Sequence, residues 1–196
     1  MKLKIYKILL VILIILAIVV SFFVIKKYID MNKIENEAKK VLEKISIEKQ
    51  NNTSNEPIQE IKQEIHGNKV VGIINIPKIE LEYPILETTS VETLKLSITK
   101  FWGNKINEIG NVTLAGHNNL SGTMFGKTKN LEIGDIIELT DIQNVTLEYE
   151  IFDKYVIDPN DIRCILPVKE ETREVTLITC TNGNKSRLIV KAREVK

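Results

Sequence analysis

The sequence predicts a mainly β fold, a closed or nearly closed barrel of short strands behind an N-terminal membrane helix and a helical stalk. Three observations predict it. An almost unbroken apolar run fills positions 8–25, a polar stretch with helical periodicity follows, and from about residue 68 short β-type segments alternate with turn residues. The expected divisions are therefore residues 1–27 as membrane anchor, 28–67 as stalk helix and polar linker, and 68–196 as the globular domain.

The apolar run ILLVILIILAIVVSFFVI contains one polar residue, Ser21. Eighteen helical residues rise about 27 Å, close to the hydrocarbon thickness of a bilayer. A cleaved leader would have a shorter core and end at small residues. Positions 19–23, VVSFF, offer no such site, so the expectation is an uncleaved single-pass anchor. Lysines flank both ends, so the charge rule hardly orients it. The short N-terminal tail favours a cytoplasmic N-terminus with the domain outside. In the next stretch Ile34, Ala38, Val41, Leu42 and Ile45 recur at helical spacing, and Glu35–Lys39 stands at the spacing of a helix-face ion pair. A solvated stalk is expected there, ending in the linker QNNTSNEP at 50–57.

Strands are expected at 70–76, 81–86, 112–116, 135–139, 146–157, 174–179 and 187–191. Pro84 makes the second an edge or interrupted strand. Residues 91–98 read as a short helix capped by Ser90, with Thr93 three positions on. Phe101 and Trp102 are expected in the core. Lys+Arg is 27 against 26 for Asp+Glu, a formal charge of +1, which gives no support for a nucleic-acid partner. Two cysteines do not make a disulfide framework. Cys164 and Cys180 are left either to pair or to keep at least one working thiol.

The chemistry is concentrated in the last hairpin. VTLITC at 175–180 and RLIVKA at 187–192 flank TNGNKS, whose Asn182, Gly183 and Asn184 tolerate the positive φ of a turn. A turn centred between Gly183 and Asn184, without a bulge, sets Cys180 opposite Arg187, with Cβ atoms roughly 5 Å apart. A cation beside a thiol is one setting that makes cysteine reactive, whereas a free cysteine in an apolar setting is inert. A proton-transfer partner would be histidine. His66, beside Gly67 and Asn68, is expected to be exposed and idle. His117 leaves the strand at 112–116 into Asn118-Asn119, a position equally compatible with a cleft and with a structural role.

TLAGHN at 113–118 and TLITC at 176–180, with Arg187 one strand later, resemble the signature segments of the sortase family. The resemblance covers residues 68–196 and includes the N-terminal anchor. It implies an eight-stranded β-barrel with short helices, on the outer side of the membrane of a Gram-positive cell. It implies that Cys180 attacks the threonine carbonyl of an LPxTG-like sorting signal. His117 would act as acid and then base, and Arg187 would steady the peptide or the oxyanion. The partners so implied are sorting-signal proteins and an amine acceptor such as a peptidoglycan precursor. Thr179 and Ala115 would line the site, and Ile165, Leu166 and Val168, with Ile162 and Pro167, would offer a pocket for leucine and proline or simply pack their own loop. Cys164 is read as a small buried side chain.

A short Cys-to-Arg loop, the lack of a long helical insertion between 157 and 174, and the lack of an Asp-Pro-Trp or Asp-Pro-Phe lid favour class D or E over class A. In class A the loop before the histidine strand often binds calcium. Here that loop offers Glu108 with Lys105 nearby, so no cofactor is expected, with calcium activation as the alternative. Two other functions compete: a tethered cysteine protease that only hydrolyses, and a non-catalytic surface scaffold.

Overall fold

The computed structural model describes residues 2–51, 63–166, 169 and 171–195. The chain divides into two compact units, Met1–Asn36 and Glu37–Lys196. Helix α1 spans Lys2–Asn51. In the first unit its apolar side chains, Ile8, Leu16 and Phe22 among them, are exposed, and the helix is long and apolar enough to cross a bilayer.

In the second unit the last turns of α1 depart from the solvated stalk that the sequence suggested. Ala38, Val41 and Ile45, spaced three and four apart, are buried. Val41 and Ile45 pack in one cluster with Ile65, Val70, Ile73 and Leu86. Each such aliphatic side chain contributes about 1.5–3 kcal/mol when fully buried, so this stretch belongs to the globular packing. His66 is exposed as expected, and it also meets Glu37 of the helix at 2.5 Å.

The strands are β1 (Glu64–Ile65), β2 (Asn68–Ile76), β3 (Leu81–Leu86), β4 (Ile98–Trp102), β5 (Gly110–Ala115), β6 (Ile136–Asp141), β7 (Thr146–Ile157), β8 (Arg173–Thr181) and β9 (Ser186–Glu194). The two-residue β1 only flanks β2. The other eight run β2-β3-β4-β5-β8-β9-β7-β6, and β6 pairs back onto β2, closing an eight-stranded barrel. One inward row reads Val112–Val175–Ala192–Ile151 across four successive strands, and all four are buried.

The sequence-predicted strands 81–86 and 146–157 recur unchanged, and the others recur with ends shifted by one to three residues. Pro84 fits because β4 pairs with β3 only at Ile85 and Leu86, so nothing on that side needs the N–H that proline lacks. Helix α2 (Val91–Leu96) has the expected Ser90 cap: the Glu92 and Thr93 amides donate to Ser90 Oγ at 3.2 and 3.1 Å. It stops two residues early, because Ile98 starts β4.

Phe101 and Trp102 are not core residues; they are 48% and 57% exposed. The pairing of β4 with β5 passes from Lys100↔Leu114 directly to Trp102↔Thr113. Phe101 is thus the extra residue of a bulge, which breaks the in–out alternation and re-aims side chains.

Candidate active site

β5 and β8 run parallel, from Gly110↔Arg173 to Ala115↔Ile178. Their carboxyl ends therefore leave the barrel at the same rim, β5 toward His117 and β8 at Cys180. Three hydrogen bonds lace these ends together. The Gly116 amide donates to Ile178 O at 3.3 Å, Thr179 Oγ1 donates to Gly116 O at 2.7 Å, and Asn118 Nδ2 donates to Cys180 O at 2.8 Å. Below His117, the Phe125 amide donates to His117 O at 3.0 Å, and the buried Phe125 ring lies against Gly116. A Cβ at Gly116 would come within 2.8 Å of that ring, so only glycine lets the strand end approach so closely.

On the other side, Cys180 and Arg187 are direct cross-strand partners. The turn between them has positive φ at Asn182, Gly183 and Asn184, as the residue types suggested. Arg187 Nη1 donates to Asn184 O and Ser186 O, each at 3.1 Å. Among the described residues this is the only guanidinium nitrogen of Arg187 so engaged, which leaves the other donors available. His117, Cys180 and Arg187 all line one open cleft of about 350 Å³. Asn118 Nδ2 holds Cys180 O and Asn119 Nδ2 donates to Thr123 Oγ1 at 2.9 Å; among the described residues neither side chain is hydrogen-bonded to the imidazole.

Ala115, Thr179 and Ile165 also line the cleft. The Thr179 hydroxyl is already donated to Gly116 O, so its visible work is to join the strands. Leu166 is exposed and is not among the cleft-lining residues, while Val168 and Pro167 lie outside the described residues. The exposed Ile162 contributes to the wall, as does Phe101, which the sequence placed in the core, and as do Ile178 and Asp161, which it did not single out.

The far wall is the turn Arg163–Ile165. It is pinned from beneath by polar side chains on the outer face of the barrel. Asn111 Nδ2 donates to Ile165 O at 2.8 Å, Thr176 Oγ1 donates to Asn111 Oδ1 at 2.9 Å, and Lys191 Nζ donates to Leu166 O at 2.9 Å. Lys191 is also 3.8 Å from the buried Glu174, which Arg193 meets at 2.9 Å. Burial pushes the Lys191 ammonium below its usual range, with the Glu174 charge opposing that shift. Hydrogen bonds from the Arg163 side chain and backbone bring Asp161 down to about 2.

Cys164 sits in this wall, buried and free, and desolvation raises its thiol above the ordinary value. Cys180 is free and half-buried. In the loop before β5, Lys105 lies 3.7 Å from the Glu108 carboxylate.

A thiol, an imidazole and a guanidinium at one rim of a closed eight-stranded barrel make a barrel protein with the residue set of cysteine nucleophile chemistry. Residues 74–195 match the family model described as the sortase domain, and the chain belongs to the sortase family. It is 31% identical over 125 residues to sortase A of Bacillus anthracis, covering 62% of this chain and 58% of that protein. It is 33% identical over 110 residues to sortase D of Bacillus subtilis strain 168, covering 56% and 53%. The match thus spans a little over half the length of these relatives. Among solved structures, sortase A from Corynebacterium diphtheriae aligns with a TM-score of 0.60 and 30% identity, covering 66% of this chain and 62% of that one. A Clostridium perfringens sortase D5 transpeptidase aligns with a TM-score of 0.61 and 26% identity, covering 83% and 98%.

Proposed function

We propose that this sortase is a membrane-anchored cysteine transpeptidase. The Cys180 thiolate attacks the threonine carbonyl of an LPxTG-like sorting signal. The tetrahedral intermediate collapses as His117 protonates the departing amine, leaving a thioacyl enzyme. An acceptor amine, such as that of a peptidoglycan precursor, then attacks the thioester while His117 takes its proton. Arg187 donates hydrogen bonds to the oxyanion, where a fixed charge is worth most. The observation that carries this reading is the Cys180↔Arg187 register on a cleft shared with His117. Ala115, Thr179 and Ile165 form the floor and wall for the peptide.

In this reading residues 1–27 are a single-pass anchor and residues 68–196 work on the outer side of the membrane, with Val41 and Ile45 of the intervening 28–67 segment packed into that domain. The test supplies the full chain in detergent with an LPxTG peptide and an amine nucleophile. Amide-linked product that disappears in Cys180→Ala is expected. Hydrolysed peptide alone at saturating amine would make the protein a protease, and full processing by Cys180→Ala would leave only the scaffold reading.

A further inference from the structure

Residues 87–89 and 100–104 border a second groove, separate from the one that holds Cys180. The two grooves meet, because Thr89 and Phe101 line both. Their chemistry differs. The Cys180 cleft is walled largely by aliphatic side chains, Ile157, Ile162, Ile178 and Ile189 among them. The second groove carries a carboxylate, an ammonium, two hydroxyls and an amide, from Glu87, Lys100, Thr88, Thr89 and Asn104, together with the exposed aromatic rings of Phe101 and Trp102.

The rings are held outward by the backbone. Phe101 is the bulged residue of β4, so two successive aromatic side chains are exposed on the same groove. Directly after them Gly103 adopts φ +93°, and a Cβ there would come 2.0 Å from Asn111 O. The strand end is thus pressed onto β5 at a position only glycine fills. Thr89 ties the two borders together: its hydroxyl lies 2.6 Å from Thr99 Oγ1 and donates to Lys100 O at 3.0 Å. The Glu87 and Lys100 side chains make no hydrogen bond or ion pair with any described residue. Asn104 Nδ2 donates to Ile109 O at 3.0 Å, so the uncommitted charges are Glu87 and Lys100. Two exposed rings beside a free carboxylate and a free ammonium are the inverse of a core, and large exposed aromatics in a polar rim mark binding surfaces.

We propose that this groove is a glycan subsite that receives the sugar portion of the acceptor amine. A pyranose presents a flat face of C–H groups and a rim of hydroxyls. The first stacks on an aromatic ring, the second needs carboxylate, ammonium, hydroxyl and amide partners, and the groove offers both. An extended peptide is the poorer fit. It would bind by adding to a strand edge, but β4 is paired with β5 on one side, and on the other it is paired with β3 at Ile98 and Thr99 and its Lys100 carbonyl accepts from Thr89. The two compartments then sort the two substrates by chemistry, the apolar signal peptide beside Cys180 and the hydroxylated acceptor beside Trp102. The assignment of the sugar to the acceptor rests on the transpeptidase reading; the binding of the sugar does not.

Trp102 is the single tryptophan of the chain, so tryptophan emission reports on this groove alone. The full-length Cys180→Ala chain in detergent is titrated with an N-acetylglucosaminyl-N-acetylmuramyl peptide and, separately, with the same peptide lacking the disaccharide. A saturable change in emission with the first and none with the second is expected. No response to either, or an equal response to both, overturns the glycan subsite, the latter outcome making it a peptide groove. In the chain with Cys180 intact, Trp102→Ala should raise the acceptor KM for the disaccharide-bearing amine relative to a plain triglycine amine about tenfold, with Trp102→Phe restoring most of it. An unchanged ratio overturns the proposal while transfer to triglycine leaves the transpeptidase reading standing.

Discussion

The two walls of the Cys180 cleft each carry a cysteine, and the contrast between them shows what makes a thiol usable. Cys180 stands on a hairpin, half-exposed, with a guanidinium across the ladder. Cys164 stands on the turn Arg163–Ile165, 4% exposed, with its thiol raised by desolvation. The hairpin wall is built from adjacent strands and a tight turn. The opposite wall is held from below by Asn111, Thr176 and Lys191, drawn from three different strands. In the transpeptidase reading, one wall supplies the reactive groups and the other supplies shape.

The comparison breaks most sharply at the sulfur atoms. Cys180→Ala should reduce turnover by about 10⁴-fold or more, whereas Cys164→Ala should change it only a few-fold; equal losses would erase the distinction. Arg187→Lys keeps the charge and loses the planar fork, so kcat should fall about 100-fold. Near-normal kcat would mean that charge alone suffices. Iodoacetamide at neutral pH should label Cys180 at least about tenfold faster than Cys164, read by peptide mass spectrometry. Because burial lifts the Cys164 thiol above its usual value, its labelling should rise only at more alkaline pH than that of an unfolded control. Lys191→Met should raise the peptide KM several-fold with a smaller effect on kcat, since it releases the Leu166 carbonyl and loosens the wall. Removing one member of a buried charge cluster also costs on the order of 3 kcal/mol, so urea unfolding checks that the variant remains folded. A fall in kcat with KM unchanged would remove Lys191 from the shape-giving wall.

The hairpin was legible because its geometry is local. Six residues rich in Asn and Gly between two β-type runs fix the register without knowledge of the rest of the molecule. The pinned wall was not legible, because Lys191 read as an ordinary strand residue and Asn111 as the residue before a strand until the turn Arg163–Ile165 folds over them. The apolar stripe Ala38–Val41–Ile45 was visible as a helix face, but its partner, the cluster around Val70 and Leu86, lies beyond a polar linker. Phe101 and Trp102 were misjudged for a similar reason. Residue type argues for burial, and the one-residue bulge that turns them outward leaves no mark in composition or periodicity.

The side-by-side course of β5 and β8 has a consequence for how such an enzyme changes. His117 and Cys180 lie 63 positions apart in the sequence, yet the spacing of their strand ends is set by barrel hydrogen bonds and is independent of the intervening chain. Segments spliced into the connections after β5 or β7 would redraw the borders of the cleft while leaving the imidazole and sulfur where they are. Substrate preference can therefore drift through loop replacement, with the reaction itself carried along unaltered.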